Sequence, residues 1–460
     1  MPPDAESGAS PPRPNFLFVV LDDVRFDDLG FCGHPFVRTP NFDRIAEEGL
    51  RFKNCFAPVP LCSPNRACIL TGRYAHSHGI VDNTDRSKLS HGLETFPLLL
   101  HRSGYETAFI GKWHMGLDDR RRPGFDEWLC LQGQGDYFDP SVNDNGVRRR
   151  IPGYATDIFS DRAANFIRRE RDRPFLAYLS HKAVHPNLFQ DEDGSIAFVP
   201  EDGGFTPPAR LRDLYKDEAI RRRPNAAAFA EDKPALQRPI EGVPPLGPGT
   251  GTPACVIRNR LRILTAADEA FRTVLDALEE TGQAANTVVV LTSDHGYFYG
   301  EHGLNEERRL AYEESIRVPL AIRWPPAVPA GTVADAFALS VDLAPTVLDL
   351  AGIDRAPACH GRSLVPLLAG AAPADWRRSV LIECFSDSVW PRMVSMGYEA
   401  VRTDHWKYIR YRDLEGMDEI YDLEADPYEM RNLWGARGMG ERKAALRAEL
   451  GRLLEGAGAK

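Results

Sequence analysis

The sequence predicts an α/β protein: a large mixed, mostly parallel sheet sandwiched by helices, followed by a smaller C-terminal α+β subdomain. Three observations carry this. Strand-length apolar runs alternate with stretches of helical period. Those runs stop at polar residues of a restricted kind, as strands of a covered parallel sheet do at the edge where ligands bind. With 460 residues, 43% hydrophobic and 27% charged, the chain holds enough apolar material for a full core.

The first 14 residues, rich in Pro, Ser and Ala, read as a disordered tail. Residues 15–21, NFLFVVL, form the first strand and end at Asp22 and Asp23. The run at 107–110 ends in Gly111, Lys112, Trp113 and His114, and that at 175–179 leads into Ser180, His181, Lys182 and His185. Residues 266–280 carry apolar positions at helical spacing and stop at Thr281 and Gly282. The run TVVVL at 287–291 follows and leads to Ser293, Asp294, His295 and Gly296.

Within a catalytic unit spanning 15–370, residues 188–255 show no clear period and many Pro, Gly and charged residues, which reads as a substrate-shaping insertion. Small, loop-like residues at 369–375 introduce the subdomain, 371–460, with strands expected at 380–384 and 407–411 and a helix at 441–454.

A formal net charge of -10 argues against a general nucleic-acid binder and means that any anionic ligand needs a local cationic pocket. The N-terminus lacks the basic and apolar regions of a secretory signal, and no apolar run approaches the roughly 18 residues of a membrane span, so the expectation is a cytoplasmic protein without membrane partners. The eight cysteines contain no CxxC pair, which suits reduced thiols better than a disulfide framework or zinc site, and Cys68 reads as a small core residue.

Charged residues after one strand are ordinarily a solvated loop. Four strands delivering Asp-Asp, Lys and His, Lys and His, and Asp-His to their carboxyl ends suggest a single polar site. Asp22, Asp23, Asp294 and His295 form a divalent-metal set, because carboxylates suit hard cations and an imidazole can complete the shell. Lys112 and His114, two residues apart, face the same way on an extended segment. His185 suits proton transfer, since an unperturbed imidazole titrates near neutrality.

The run LCSPNRACILTGR at 61–73 sets Cys62, Pro64 and Arg66 ahead of Thr71, Gly72 and Arg73. It resembles the signature of the type I, formylglycine-dependent sulfatases of the alkaline phosphatase-like superfamily. The resemblance extends from Asn15 to about Leu433, through GYETAFIGKWH at 104–114, LSHKAVHPN at 179–187 and the closing run at 404–433.

The resemblance implies that a formylglycine-generating enzyme converts Cys62 to formylglycine (3-oxoalanine). One hydroxyl of its hydrate attacks sulfur, and the other loses its proton as the aldehyde re-forms and sulfate leaves. It implies one divalent cation held by Asp22, Asp23, the modified Cys62, Asp294 and His295. Ca²⁺ is the family's usual ion, and the nitrogen of His295 leaves Mn²⁺ or Mg²⁺ open. Arg66 would fix the nucleophile, Lys112 bridge it to a sulfate oxygen, His114 take the hydrate proton, and His185 contact sulfate and protonate the leaving oxygen.

One departure stands out. Related sequences place a sulfate-binding Lys before an Arg ahead of a YEES-like run, where this chain has Arg308 and Arg309. Arg308 can grip two sulfate oxygens but donates a proton less readily, which leaves His185 as the main acid. Arg309 is expected to pair with Glu313 or Glu314, His302 to line the pocket or a loop, and His181 and Lys182 are weaker candidates. The expected activity is a sulfuric ester hydrolase cleaving a small-molecule or saccharide sulfate monoester, in a chain that could form a homo-oligomer. The alternative is a phosphonate monoester hydrolase or phosphodiesterase using the same site. A binding module with a dead site is disfavoured, because the nucleophile position, its Arg and all four metal positions are present.

Overall fold

A computed structural model describes residues 13–198, 203–227, 232–247, 249–354, 358–385 and 390–459. Residues 1–12 of the expected tail lie outside them.

Ten strands form one sheet: β1 (Asn15–Leu21), β2 (Leu50–Phe56), β3 (Glu106–Gly111), β4 (Glu127–Leu131), β5 (Ser141–Asp144), β6 (Val147–Arg150), β7 (Phe175–Ser180), β10 (Thr287–Ser293), β11 (Arg317–Arg323) and β12 (Thr332–Leu339). A short hairpin, β8 (Phe189–Gln190) and β9 (Ile196–Phe198), stands apart. The spatial order β12-β2-β11-β10-β1-β7-β3-β4-β5-β6 puts five parallel neighbours, β10 to β4, at the centre, flanked by the antiparallel β11 on one side and the antiparallel β5–β6 pair on the other, with β12 parallel to β2 at the far edge. This is the mixed, mostly parallel sheet expected.

Every residue of β1 is buried, and its two faces feed different cores. Leu17, Val19 and Leu21 pack with the helices Ala155–Ile167 and Ala254–Glu280, whereas Phe16, Phe18 and Val20 pack with Phe96–Arg102 and Leu343–Leu350. A strand covered on both faces must be apolar at every position, because its side chains alternate between two dry layers. Each such side chain contributes about 1.5–3 kcal/mol on burial. The registers Leu21↔Ser293, Val20↔Ser180 and Gly111↔Ser180 bring the carboxyl ends of β1, β10, β7 and β3 to one edge.

The helix expected at 266–280 runs instead over Ala254–Glu280. Its first half was masked because Arg260 occupies a fully buried position where the periodic pattern calls for an apolar residue. The 188–255 stretch is less irregular than expected. It holds the β8–β9 hairpin and short helices, and Asn225, Lys233, Ala235 and Leu236 within it are buried.

Near the C-terminus, β13 (Ser379–Cys384), β14 (Tyr398–Thr403), β15 (Trp406–Tyr411) and β16 (Glu419–Asp422) form an antiparallel sheet covered by the helix Gly440–Gly456. Its core also contains Phe56, Phe298, Tyr312 and Leu339 of the larger unit, so the two sheets share one apolar layer.

Candidate active site and metal centre

The site lies at the shared carboxyl edge. Past β1 the chain is tied to the segment after β7, with Asp22 N donating to Ala183 O at 2.7 Å and Val184 N to Asp22 O at 2.6 Å. Asp23 then turns in the left-handed region at φ 62°, and its amide donates to Asp294 Oδ1 at 3.0 Å. A non-glycine residue held there reflects a surrounding structure that over-determines it.

Cys62 is the first residue of the helix Cys62–Thr71, in which all ten residues are buried. Arg66 follows at i+4 and therefore shares its face. The Arg66 guanidinium reaches Asp294 Oδ2 at 2.9 Å, Asp22 Oδ1 at 3.3 Å, the carbonyl of Lys112 at 3.0 Å and Ser180 Oγ at 2.7 Å. Cys62 Sγ lies 3.1 Å from His295 Nε2, which stands 3.3 Å from Asp23 Oδ1. His295 Nδ1 faces the carbonyl of Gly296 at 2.9 Å, so that nitrogen carries the proton and Nε2 is the available donor atom in the neutral ring.

The ligand atoms of Asp23, Cys62 and His295 fall within 4.8 Å of one another, as do those of Asp22, Cys62 and Asp294. Asp22 Oδ1 and both Asp23 carboxylate oxygens are buried and accept no hydrogen bond among the described residues. Buried anionic oxygens without such partners are costly unless a cation meets them, so the donor set fits a hard divalent ion.

The charges agree. Burial works to raise the Asp22 carboxyl, but Lys112 and Arg66 hold it well below the usual range. Burial and the neighbouring Asp22 push Asp294 up. Burial opposes a charge on His295, yet Asp294, Cys62 and Asp23 draw it up to about 9, which measures the negative potential at the centre.

The remaining residues complete a cationic rim. Lys112 Nζ bonds the Asp22 carboxylate. His114 stands at φ 53°, its carbonyl receives Ser63 Oγ, and its Nε2 lies 2.9 Å from Gln190 Oε1 and 2.7 Å from Gln134 Nε2. His185 Nδ1 donates to Pro186 O at 2.9 Å, leaving Nε2 to accept from Arg308 Nη2 at 2.9 Å. Arg308 Nη1 is 3.1 Å from Asp23 Oδ2. Burial and Lys112 hold both His114 and His185 well below the ordinary imidazole range, so both rings are neutral.

All ten expected residues, Asp22, Asp23, Cys62, Arg66, Lys112, His114, His185, Asp294, His295 and Arg308, therefore meet in one buried cluster. Of the weaker candidates, Lys182 turns to Pro186 O at 2.8 Å, His181 is buried with neither ring nitrogen hydrogen-bonded among the described residues, and His302 packs on Tyr312. Arg309 lies over Trp390, while Glu313 is held by Lys407 and Arg402 and Glu314 by Arg223.

Sequence reasoning missed Gln134, Gln190 and Arg260. The last donates to Asp23 O at 2.6 Å with its cation 3.7 Å from the Tyr297 ring centroid. A lone Arg inside the apolar face of a helix was a readable signal. The two glutamines offered none.

Residues 14–353 match the sequence model of the sulfatase family. This chain belongs to that family. It is a hydrolase acting on sulfate esters, and the sulfatase match covers all ten clustered residues. Residues 300–456 also match the model described as N-sulphoglucosamine sulphohydrolase, C-terminal.

This sulfatase is 36% identical to an N-acetylglucosamine-6-O-sulfatase of Bacteroides thetaiotaomicron, with 92% of this chain and 83% of that protein covered. A solved structure of a protein in complex with its substrate D-glucosamine-2-N,6-O-disulfate superposes with a TM-score of 0.84 at 31% identity, covering 97% of this chain and 98% of that one. The phosphonate monoester hydrolase of Agrobacterium radiobacter, at 22% identity and a TM-score of 0.74 over 97% of this chain and 96% of that one, shares the fold.

Proposed function

We propose that this sulfatase removes the 6-O-sulfate of glucosamine-type saccharides, using formylglycine at position 62, a divalent cation and the clustered side chains. The substrate class is supported by the Bacteroides relative and by the glucosamine disulfate complex. One observation carries the chemistry. Three carboxylates and an imidazole surround position 62, and its sulfur is the single soft atom in a hard donor set. An oxygen there, as in a formylglycine hydrate, matches the set. The cysteine Sγ stands in for that oxygen.

Asp22, Asp23, Asp294 and His295 would hold the cation, with Ca²⁺ favoured by the oxygen-rich set and Mn²⁺ or Mg²⁺ as alternatives. When bound, it supplies charge that acidifies a coordinated hydroxyl. Lys112, Arg66 and Arg308 bring three buried cations to where a sulfate would lie, offsetting the acidic net charge of the chain. His114, neutral, is the base for the hydrate proton. His185 accepts from Arg308 at Nε2 here, so acting as the acid requires it to gain a proton, which the negative charge of an arriving sulfate favours.

The test begins with mass analysis of the tryptic peptide spanning 54–66 from recombinant protein made with a formylglycine-generating enzyme. Sulfate release is then measured from N-acetylglucosamine 6-sulfate and its 3-sulfated isomer, and phenol release from an aryl phosphonate monoester. A larger kcat/KM for the phosphonate would replace the sulfate-ester assignment, and a preference for the 3-sulfate would replace the positional one. Cell fractionation tests the proposed cytoplasmic location, and sedimentation the proposed homo-oligomer.

A further inference from the structure

His114 must hold its proton on the correct ring nitrogen to act as a base, and the structure shows what decides this. The side chain of Gln190, in the β8–β9 hairpin, bridges two partners. Its amide nitrogen donates to the carbonyl of Gly194 at 2.9 Å, and its Oε1 lies 2.9 Å from His114 Nε2. A carbonyl only accepts, so Gly194 fixes which end of the amide is which. Oε1 must face the ring, and an oxygen facing Nε2 requires that nitrogen to carry the hydrogen.

Nδ1 is then the only lone pair of a neutral imidazole. It is buried and has no hydrogen-bond partner among the described residues. Gln134, 5% exposed, closes the other side, with its amide nitrogen 3.0 Å from Gln190 Oε1 and 2.7 Å from His114 Nε2. An amide N–H aimed at Nε2 favours the opposite tautomer, so the Gln190 carbonyl, pinned by Gly194, competes with Gln134 for the ring and prevails when Gln134 turns its otherwise unpartnered Oε1 to it. The hairpin turn is itself closed by Gly194 N donating to Asp191 O and Asp191 N to Ser195 O, both at 2.9 Å. Glu192 O accepts from Asp85 N at 2.7 Å, which anchors the turn to the body of the protein.

We propose that Gln190 is a positioning residue for His114. Through Gly194 it sets the Nε2–H tautomer, so that Nδ1 is the proton acceptor and a hairpin of the 188–255 stretch controls the base. This rests on His114 being the base proposed above. In the step concerned, a hydroxyl O–H of the sulfated hydrate breaks and its proton passes to Nδ1. The O–H electron pair forms the aldehyde C=O, and the carbon–oxygen bond to sulfate breaks, with sulfate taking the electron pair of that C–O bond.

The experiment combines a spectroscopic and a kinetic readout on metal-loaded protein of verified formylglycine content. Two-bond ¹H–¹⁵N spectra of ¹⁵N-histidine protein, with the His114 signals identified by their loss in His114→Ala, should show a neutral Nε2–H ring. Gln190→Ala should shift it toward Nδ1–H, and Gln190→Glu, which keeps an acceptor, should restore it. With N-acetylglucosamine 6-sulfate, Gln190→Ala should lower kcat by about 10- to 100-fold, as loss of an orienting partner does. KM should fall in parallel, because release of sulfate and not its capture is slowed, and Gln190→Glu should recover most of the rate.

An Nδ1–H ring in the wild type, or an unchanged tautomer in Gln190→Ala, overturns the proposal. So does a rise in KM at constant kcat, which would mark a binding role. Wild-type kcat in His114→Ala would instead remove the base assignment and leave the tautomer result standing.

Discussion

Arg308 Nη2 donates to His185 Nε2 across 2.9 Å, and the same guanidinium places Nη1 3.1 Å from Asp23 Oδ2. One planar fork thus links Asp23, a proposed metal ligand, to the proposed acid. A lysine, with a single charged nitrogen, cannot occupy both positions at once. Arg308→Lys should keep partial activity and Arg308→Ala should lose about 10²–10³ in kcat, the usual cost of removing a donor aimed at developing charge. Comparable rates for wild type and Arg308→Ala would remove Arg308 from the site's chemistry.

Cys62→Ala should abolish turnover while changing the melting temperature little, because a side chain of similar size leaves the helix Cys62–Thr71 in place. Mass analysis and thermal melting of the same preparation check both halves. Residual wild-type rate would end the formylglycine assignment.

Removing divalent ions should lower stability as well as activity, because the clustered carboxylates of Asp22, Asp23 and Asp294 are then met only by the charges of Lys112, Arg66, Arg308 and His295. An ion held at 100 times its Kd stabilises by about 2.7 kcal/mol. Melting in chelator, then after adding Ca²⁺, Mg²⁺ or Mn²⁺ separately, ranks the ions. A melting temperature indifferent to all three would argue against a metal centre.

His76 joins the larger unit to the C-terminal sheet, with Nδ1 2.8 Å from Glu383 Oε2 and Nε2 2.9 Å from Ala457 O. Burial disfavours its charge, but the Glu383 carboxylate outweighs this and raises the imidazole above its ordinary 6.5. A raised folded value means that the contribution is fully present below pH 6.5 and is lost as pH climbs through the folded value. The melting temperature should therefore decline more steeply above neutrality in the wild type than in His76→Gln. Parallel pH profiles would show that this pair does not link stability to pH.

Lys407, fully buried, meets Glu313 at 2.9 Å and Glu429 at 2.6 Å between the two sheets. Lys407→Ala leaves two carboxylates in a dry interface, and removing one partner of a buried pair costs about 3–5 kcal/mol. Urea unfolding should register that loss. A change below ~1 kcal/mol would mean that water or Arg402 takes over the charges.

Much of this was legible in the chain because its determinants are local. NFLFVVL followed by Asp22 and Asp23 specifies a strand covered on both faces with carboxylates at its end. The helix that sets Cys62 and Arg66 on one face was not read from the sequence. Nor do Lys112 and His114 share an extended segment as expected: the strand ends at Gly111, His114 turns at φ 53°, and the two side chains reach Asp22 and Gln190 respectively. The C-terminal sheet was only half visible, since Tyr398–Thr403 and Glu419–Asp422 were not read as strands.

By itself, then, the sequence determined the α/β class and the family motif, because covalent neighbours and periodic patterns survive in one dimension, and it named the ten residues that the fold gathers into one cluster. Only the tertiary structure decided that Arg308 bridges Asp23 and His185, that Arg260 enters a core beneath Asp23, and that Gln190 meets His114 seventy-six positions away. A glutamine carries no period, charge or capping preference to announce its partner. Its meaning comes from which acceptor and which ring the fold sets at hydrogen-bond distance from its two ends.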